Sequence, residues 1–144
     1  MLAGCLALLI AGLFTGAACY INFAEQPARL RLDDGALLDE WKFAYKRGFA
    51  MQATLAFLGF LLGMLAWYLR SKVGFAIGAI LLVANWPWTM LVMMPVNKKL
   101  MKTPPENAGR ETRALLLKWN RLHAARTILG SLSALAYIFG LAWK

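Results

Sequence analysis

The chain has 144 residues, of which 60% are hydrophobic, and a formal net charge of +9. Soluble domains are about 45–50% apolar, so the composition excludes an ordinary water-soluble fold. At ~20 residues per crossing, the length leaves room for one domain of four membrane spans and for no aqueous catalytic lobe. The positive charge does not indicate nucleic acid, because no basic stripe is interleaved with aromatics.

The first apolar segment covers about residues 2–23 and is uncharged. It lacks a basic n-region and is longer than the apolar run of a signal peptide, so it reads as a retained helix. Leu2-Ala3-Gly4-Cys5 spells a lipoprotein box with no apolar stretch before it, a coincidence. Pro27, in Glu25-Gln26-Pro27-Ala28-Arg29, disfavours helical geometry at Gln26 and predicts the end of this helix. Asp33-Asp34-Gly35 supplies a turn and a cap. Residues 37–45 mix aromatics with charges at helical spacing, predicting an amphipathic extension with its aromatics at the interface.

The second span covers about 48–69, between Lys46-Arg47 and Arg70, and the third about 73–96. Pro87 and Pro95 withdraw the backbone donors owed to Val83 and Leu91, which predicts kinks. Asn85 then lies beside a kink, as interhelical glue or a cavity liner, with space expected beside Trp88. Thr103-Pro104-Pro105-Glu106-Asn107 breaks the chain, and 110–120 leads helically into a fourth span at about 122–143. All four runs are continuous, without the alternation of strands. The expected fold is all-α: an antiparallel four-helix transmembrane bundle, one domain, with short amphipathic extensions before helices two and four.

Orientation follows the basic residues. One long connection holds Arg29, Arg31, Lys42, Lys46 and Arg47, and the other holds Lys98, Lys99, Lys102, Arg110, Arg113, Lys118 and Arg121. The opposite side has Arg70, Lys72 and Lys144. The positive-inside rule makes this a multi-pass inner (plasma) membrane protein with both termini outside, its basic loops against anionic lipid. Cys5 and Cys19, about 21 Å apart along one helix, cannot bridge each other. One histidine without a nearby cysteine makes no metal site, and Met90, Met93 and Met94 read as packing, not copper ligands. No cofactor is expected.

The candidate site is where polar residues of all four helices share one depth. Helix one brings Asn22 and Glu25, helix two Lys46 and Arg47, and helix three Asn97 after Pro95. Helix four brings Trp119, His123 and Arg126, one turn apart and on one face. Arg126 lies a turn inside its span and requires an internal partner or a snorkelling path; Glu25 is expected to pair with Arg126 or Arg29.

Trp88-Thr89-Met90-Leu91-Val92-Met93-Met94-Pro95-Val96-Asn97-Lys98-Lys99-Leu100 resembles the third-helix signature of the anthrone oxygenase-like membrane family. Trp119-Asn120-Arg121-Leu122-His123-Ala124-Ala125-Arg126 is similar to its Trp-x-x-x-His-x-x-Arg element, and Glu25-Gln26-Pro27-Ala28-Arg29 to its pattern after helix one. The resemblance implies cofactor-free oxidation of a polycyclic phenolic or quinone-type substrate by dioxygen. The residues then take roles: His123 as base, Arg126 and Asn97 steadying the oxyanion, and Glu25 orienting His123 or Arg126. Trp88 and Trp119 would flank the rings, and Asn85 and Asn22 would be further substrate contacts.

The competing expectation is a non-catalytic bundle that packs with a partner or binds a lipid or quinone-like small molecule. Gly12/Gly16, Gly59/Gly63 and Gly74/Gly78 are GxxxG pairs, suited either to packing within one bundle or to a homo-oligomer. A transporter is disfavoured by the lack of repeated halves.

Overall fold

The computed structural model describes residues 1–142. Four helices carry the chain: α1 Leu2–Arg29, α2 Asp34–Arg70, α3 Val73–Lys102 and α4 Arg110–Ala142, each long and apolar enough to cross a bilayer. Among the described residues there is no strand. The last position of the expected fourth span, Trp143, and the basic Lys144 lie outside the described residues. Both amphipathic extensions are the first turns of α2 and α4 themselves. The helices form a ring in which α1 and α3 each pack on both α2 and α4.

Local chemistry sets the ends. Asp33 accepts from the Ala36 amide and caps α2. Ser71 takes a left-handed conformation (φ 54°) and returns its amide to the Trp67 carbonyl, so the α2–α3 link needs only Ser71 and Lys72. At the other end, Arg113 holds Asp34 at 2.5 Å and donates to the carbonyls of Leu30 and Leu32. The α1–α2 turn is thereby tied to α4.

The expectation that Pro27 ends α1 is corrected: the helix continues to Arg29. The reason is a π turn over Ile21–Glu25, in which the Gln26 amide reaches back to Ile21. The extra residue resets the register, so Pro27 falls at the start of a renewed α segment, where a missing amide costs little. α3 does the same over Thr89–Met93, with the Met94 amide bonding Thr89, just before Pro95.

The core has two lobes. One contains Ala7, Ala11, Phe14, Ala56, Ala66, Phe75, Leu82 and Tyr137. Small residues bring its helices together: a Cβ on Gly74 would lie 2.8 Å from the Gly140 backbone nitrogen, and one on Gly63 2.3 Å from the Tyr137 oxygen. The other lobe contains Leu37, Leu38, Trp41, Met93, Val96, Leu100, Leu116 and Trp119. The α2 extension is therefore inside this lobe. Its aromatics do not all lie at the membrane interface as expected; Trp41 is buried and Phe43 faces outward under the Arg47 guanidinium.

Between the lobes lies a layer of buried polar side chains: Gln52, Asn85, Thr89, Asn97, His123 and Arg126. Asn22, half-buried, joins it from α1.

Candidate functional site

The polar layer borders a cavity of about 430 Å³ between α1, α2 and α4, within the roughly 300–1,000 Å³ of small-molecule sites. α4 supplies its back wall with Trp119, His123 and Arg126. α1 supplies Ala17, Tyr20, Ile21, Glu25 and Arg29; α2 supplies Trp41, Tyr45, Phe49, Met51 and Gln52 among others. Tyr20 and Met51 are largely exposed, so the mouth opens sideways between α1 and α2.

His123 is buried and held by two neighbours. Its ring tilts against Trp119, centroids 4.9 Å apart. Its Nδ1 lies 2.9 Å from Asn22 Oδ1. The amide orientation of Asn22 is fixed independently, because its Nδ2 sits 3.0 Å from the Asn120 backbone carbonyl, which can only accept. Asn22 Nδ2 also donates to Asn120 Oδ1, and Thr127 Oγ1 donates to Asn22 Oδ1 at 2.8 Å. Asn22 Oδ1 is thus an acceptor, so His123 Nδ1 carries the hydrogen and Nε2 the lone pair. Nε2 has no hydrogen-bond partner among the described residues. The π turn of α1 contains Asn22, as π turns often do at functional positions.

Arg126 is 7% exposed and has no carboxylate or hydrogen-bond partner among the described residues. Its Cζ lies 5.6 Å from the centroid of the Phe14 ring, and Tyr45 is a further electrostatic neighbour. The expected internal partner of Arg126 is therefore not a carboxylate. Glu25 pairs with Arg29, which also holds Glu40 and donates to Gln26 Oε1 at 2.9 Å. A buried guanidinium without a counter-ion is costly, and here it faces a cavity.

The predicted residues separate into groups. His123, Arg126, Trp119 and Glu25 border one cavity. Asn22 is behind the wall, holding His123. Asn97, buried on α3, reaches the cavity only through Tyr45, whose hydroxyl is 3.2 Å from its Nδ2. Trp88 donates to the Leu122 carbonyl at 3.0 Å and stitches α3 to α4. Asn85 borders a second, smaller cavity beside the Pro87 bend, whose mouth is lined by Trp86 rather than Trp88.

The sequence reading missed Trp41, Tyr45, Phe49 and Gln52 as cavity residues, and Asn120 and Thr127 as partners of Asn22. A signal was present: Trp41, Tyr45 and Phe49 recur every fourth residue, and in the fold Tyr45 stacks on Trp41 at 4.8 Å and meets Phe49 tilted at 5.8 Å. Thr127 likewise follows His123 by one turn. Among the described residues no cluster of His, Cys, Asp and Glu can hold a metal.

No curated protein and no solved structure matches the chain. A family model does: that of the anthrone oxygenases, over residues 41–136. The matched region runs from Trp41 through Tyr45, Asn97 and Trp119 to His123 and Arg126, and so contains the α2, α3 and α4 components of the polar layer, leaving Asn22 and Glu25 outside. With the four apolar helices and most of its length matched, the chain belongs to the anthrone oxygenase family.

Proposed function

We propose that this chain is a membrane oxidoreductase that oxidises a polycyclic phenolic ketone with dioxygen, without a cofactor. The observation that carries the reading is His123 with its lone pair on Nε2, beside an Arg126 that has no counter-ion, in one aromatic-walled cavity. An anthrone has an acidic CH₂ between two aromatic rings. His123 Nε2 takes one of its protons, and the electron pair spreads to the ketone oxygen, where the Arg126 guanidinium stabilises it. The carbanion adds dioxygen, and the proton held by His123 completes a hydroperoxide. Loss of the remaining CH proton and cleavage of the O–O bond then release water and leave a carbonyl. One oxygen atom ends in the quinone and the other in water.

The other residues support these steps. Asn22 keeps His123 in the required tautomer. Trp119 flanks the ring system with Trp41, while Asn97 acts through the Tyr45 hydroxyl. Glu25 neutralises Arg29 at the rim, leaving Arg126 as the cation for the substrate. The sideways mouth suits an apolar substrate dissolved in the bilayer. The basic loops support an inner-membrane orientation with both termini outside; cysteine-accessibility labelling at either terminus from the outer face tests it.

The test of activity is dioxygen uptake by the purified chain with anthrone, against the His123→Ala variant and the spontaneous rate. Uptake above background in the wild type, lost in the variant, is expected. Equal rates in a folded variant would overturn the assignment and favour the non-catalytic reading, a bundle that captures a quinone-like lipid through the same mouth.

A further inference from the structure

A second cavity of about 280 Å³ lies on the other side of α2. It is lined by Phe49 and Ala53 of α2, by Asn85, Trp86, Thr89 and Met90 of α3, and by Arg126. Its α3 wall is irregular: a turn precedes Asn85 and a π turn runs over Thr89–Met93. Trp86 bridges the two helices, its indole donating to the Ala53 carbonyl at 3.3 Å and its ring against Phe57. Trp86 and Met90 are 45% and 57% exposed, so this cavity also opens sideways.

Phe49 and Arg126 belong to the walls of both cavities. A cation with no counter-ion among the described residues therefore borders both an aromatic-walled chamber and an apolar one, and the Phe49 ring borders both beside it. We infer that the ligand is an aromatic anion bearing an apolar side chain: its ring system fills the α1/α2 chamber, its anionic oxygen meets Arg126, and its side chain passes Phe49 into the α2/α3 chamber. This rests on the proposed assignment of the Arg126 cavity as the substrate site and names the substrate class. An anion matches the buried guanidinium, and an apolar tail matches the second chamber, from which a longer chain would emerge directly into lipid. Phe49 becomes a specificity residue, since its ring sets how far a substituent can pass.

The experiment uses the full chain in nanodiscs with 2-naphthoate and 6-hexyl-2-naphthoate, their amides as neutral comparators, and equilibrium dialysis against empty nanodiscs to subtract partitioning. Both anions are expected to bind, the hexyl compound more tightly, and Arg126→Gln to weaken both by about tenfold or more. Filling the second chamber with Ala53→Leu, or with Met90→Trp at an outward position, is expected to weaken the hexyl anion by about tenfold and the parent by less than about twofold. Met90→Trp keeps the comparison decisive if Ala53→Leu fails to assemble. Unchanged hexyl binding in the filled variant would mean that the chamber holds only a bilayer acyl chain, and would overturn the inference while leaving the Arg126 site intact. Anion binding that is absent, or indifferent to Arg126→Gln, would overturn both the site and the inference built on it.

Discussion

The two lobes of the bundle solve opposite problems. In the lobe around Tyr137, the buried hydroxyls of Tyr137 and Ser133 are paired: Tyr137 donates to the Gly59 carbonyl at 2.8 Å and Ser133 to the Gly78 carbonyl at 2.7 Å, and Thr15 Oγ1, beside Phe14 and Gly130, is the exception. Glycine and alanine let the helices touch, which is how apolar helices associate without a hydrophobic drive between them. Around His123 the helices stand apart, and buried polar atoms lack partners: Trp41 Nε1, Gln52 Nε2, Asn97 Oδ1, Trp119 Nε1 and Arg126 Nε. Unsatisfied groups of this kind are unfavourable, so one lobe is closely packed while the other keeps space and unpaired polar atoms, the feature on which the proposed function rests.

The largest effect should come from breaking the tight lobe. Gly74→Leu must push into the backbone of Gly140 and Ala136, and is expected to cost at least about 3 kcal/mol. Loss of a monodisperse, helical species on detergent extraction checks it. The open lobe should respond the other way. His123→Ala should leave assembly intact and lower anthrone-dependent dioxygen uptake by about 10²–10⁴-fold, the usual worth of a general base. Asn22→Leu should reduce uptake without touching the cavity, because Nδ1 loses its acceptor and the tautomer is no longer fixed; its binding of a substrate analogue should be nearly unchanged.

A sharper contrast is Arg126→Met. Removing an unpaired buried charge should raise the stability of the ligand-free bundle by about 1–3 kcal/mol while abolishing uptake. A stability loss instead would mean that Arg126 is a structural group. Tyr137→Phe, which deletes one satisfied bond in the tight lobe, should cost about 1 kcal/mol with uptake unchanged. The smallest change is Ser71→Gly, at the left-handed position of the α2–α3 link, expected to raise thermal stability slightly, by under about 1 kcal/mol.

The GxxxG pairs show how far pattern alone reaches. Gly59, Gly63, Gly74 and Gly78 all sit against neighbouring helices, but Gly12 and Gly16 have open space where a Cβ would project. The motif is identical in each case; only the rotation of each helix in the bundle distinguishes them. Glu25 gives the same lesson at the site. Sequence spacing allowed Arg29 or Arg126, and the π turn, together with Glu40 from α2, settled it for Arg29.

Composition and hydrophobic run length by themselves determined the helical class and the number of span-length helices, because a bilayer accepts few backbone solutions and each leaves a long apolar record. The one-turn spacing of Trp119, His123 and Arg126 also put them on a common face before any neighbour was known. Tertiary structure decided what that face meets. Asn22 became the partner of His123, Tyr45 the link to Asn97, and Arg126 the wall between two cavities, because these are contacts between helices far apart in the chain. They depend on helix rotation and on one-residue register shifts before Pro27 and Pro95, which the linear order of residues does not encode locally.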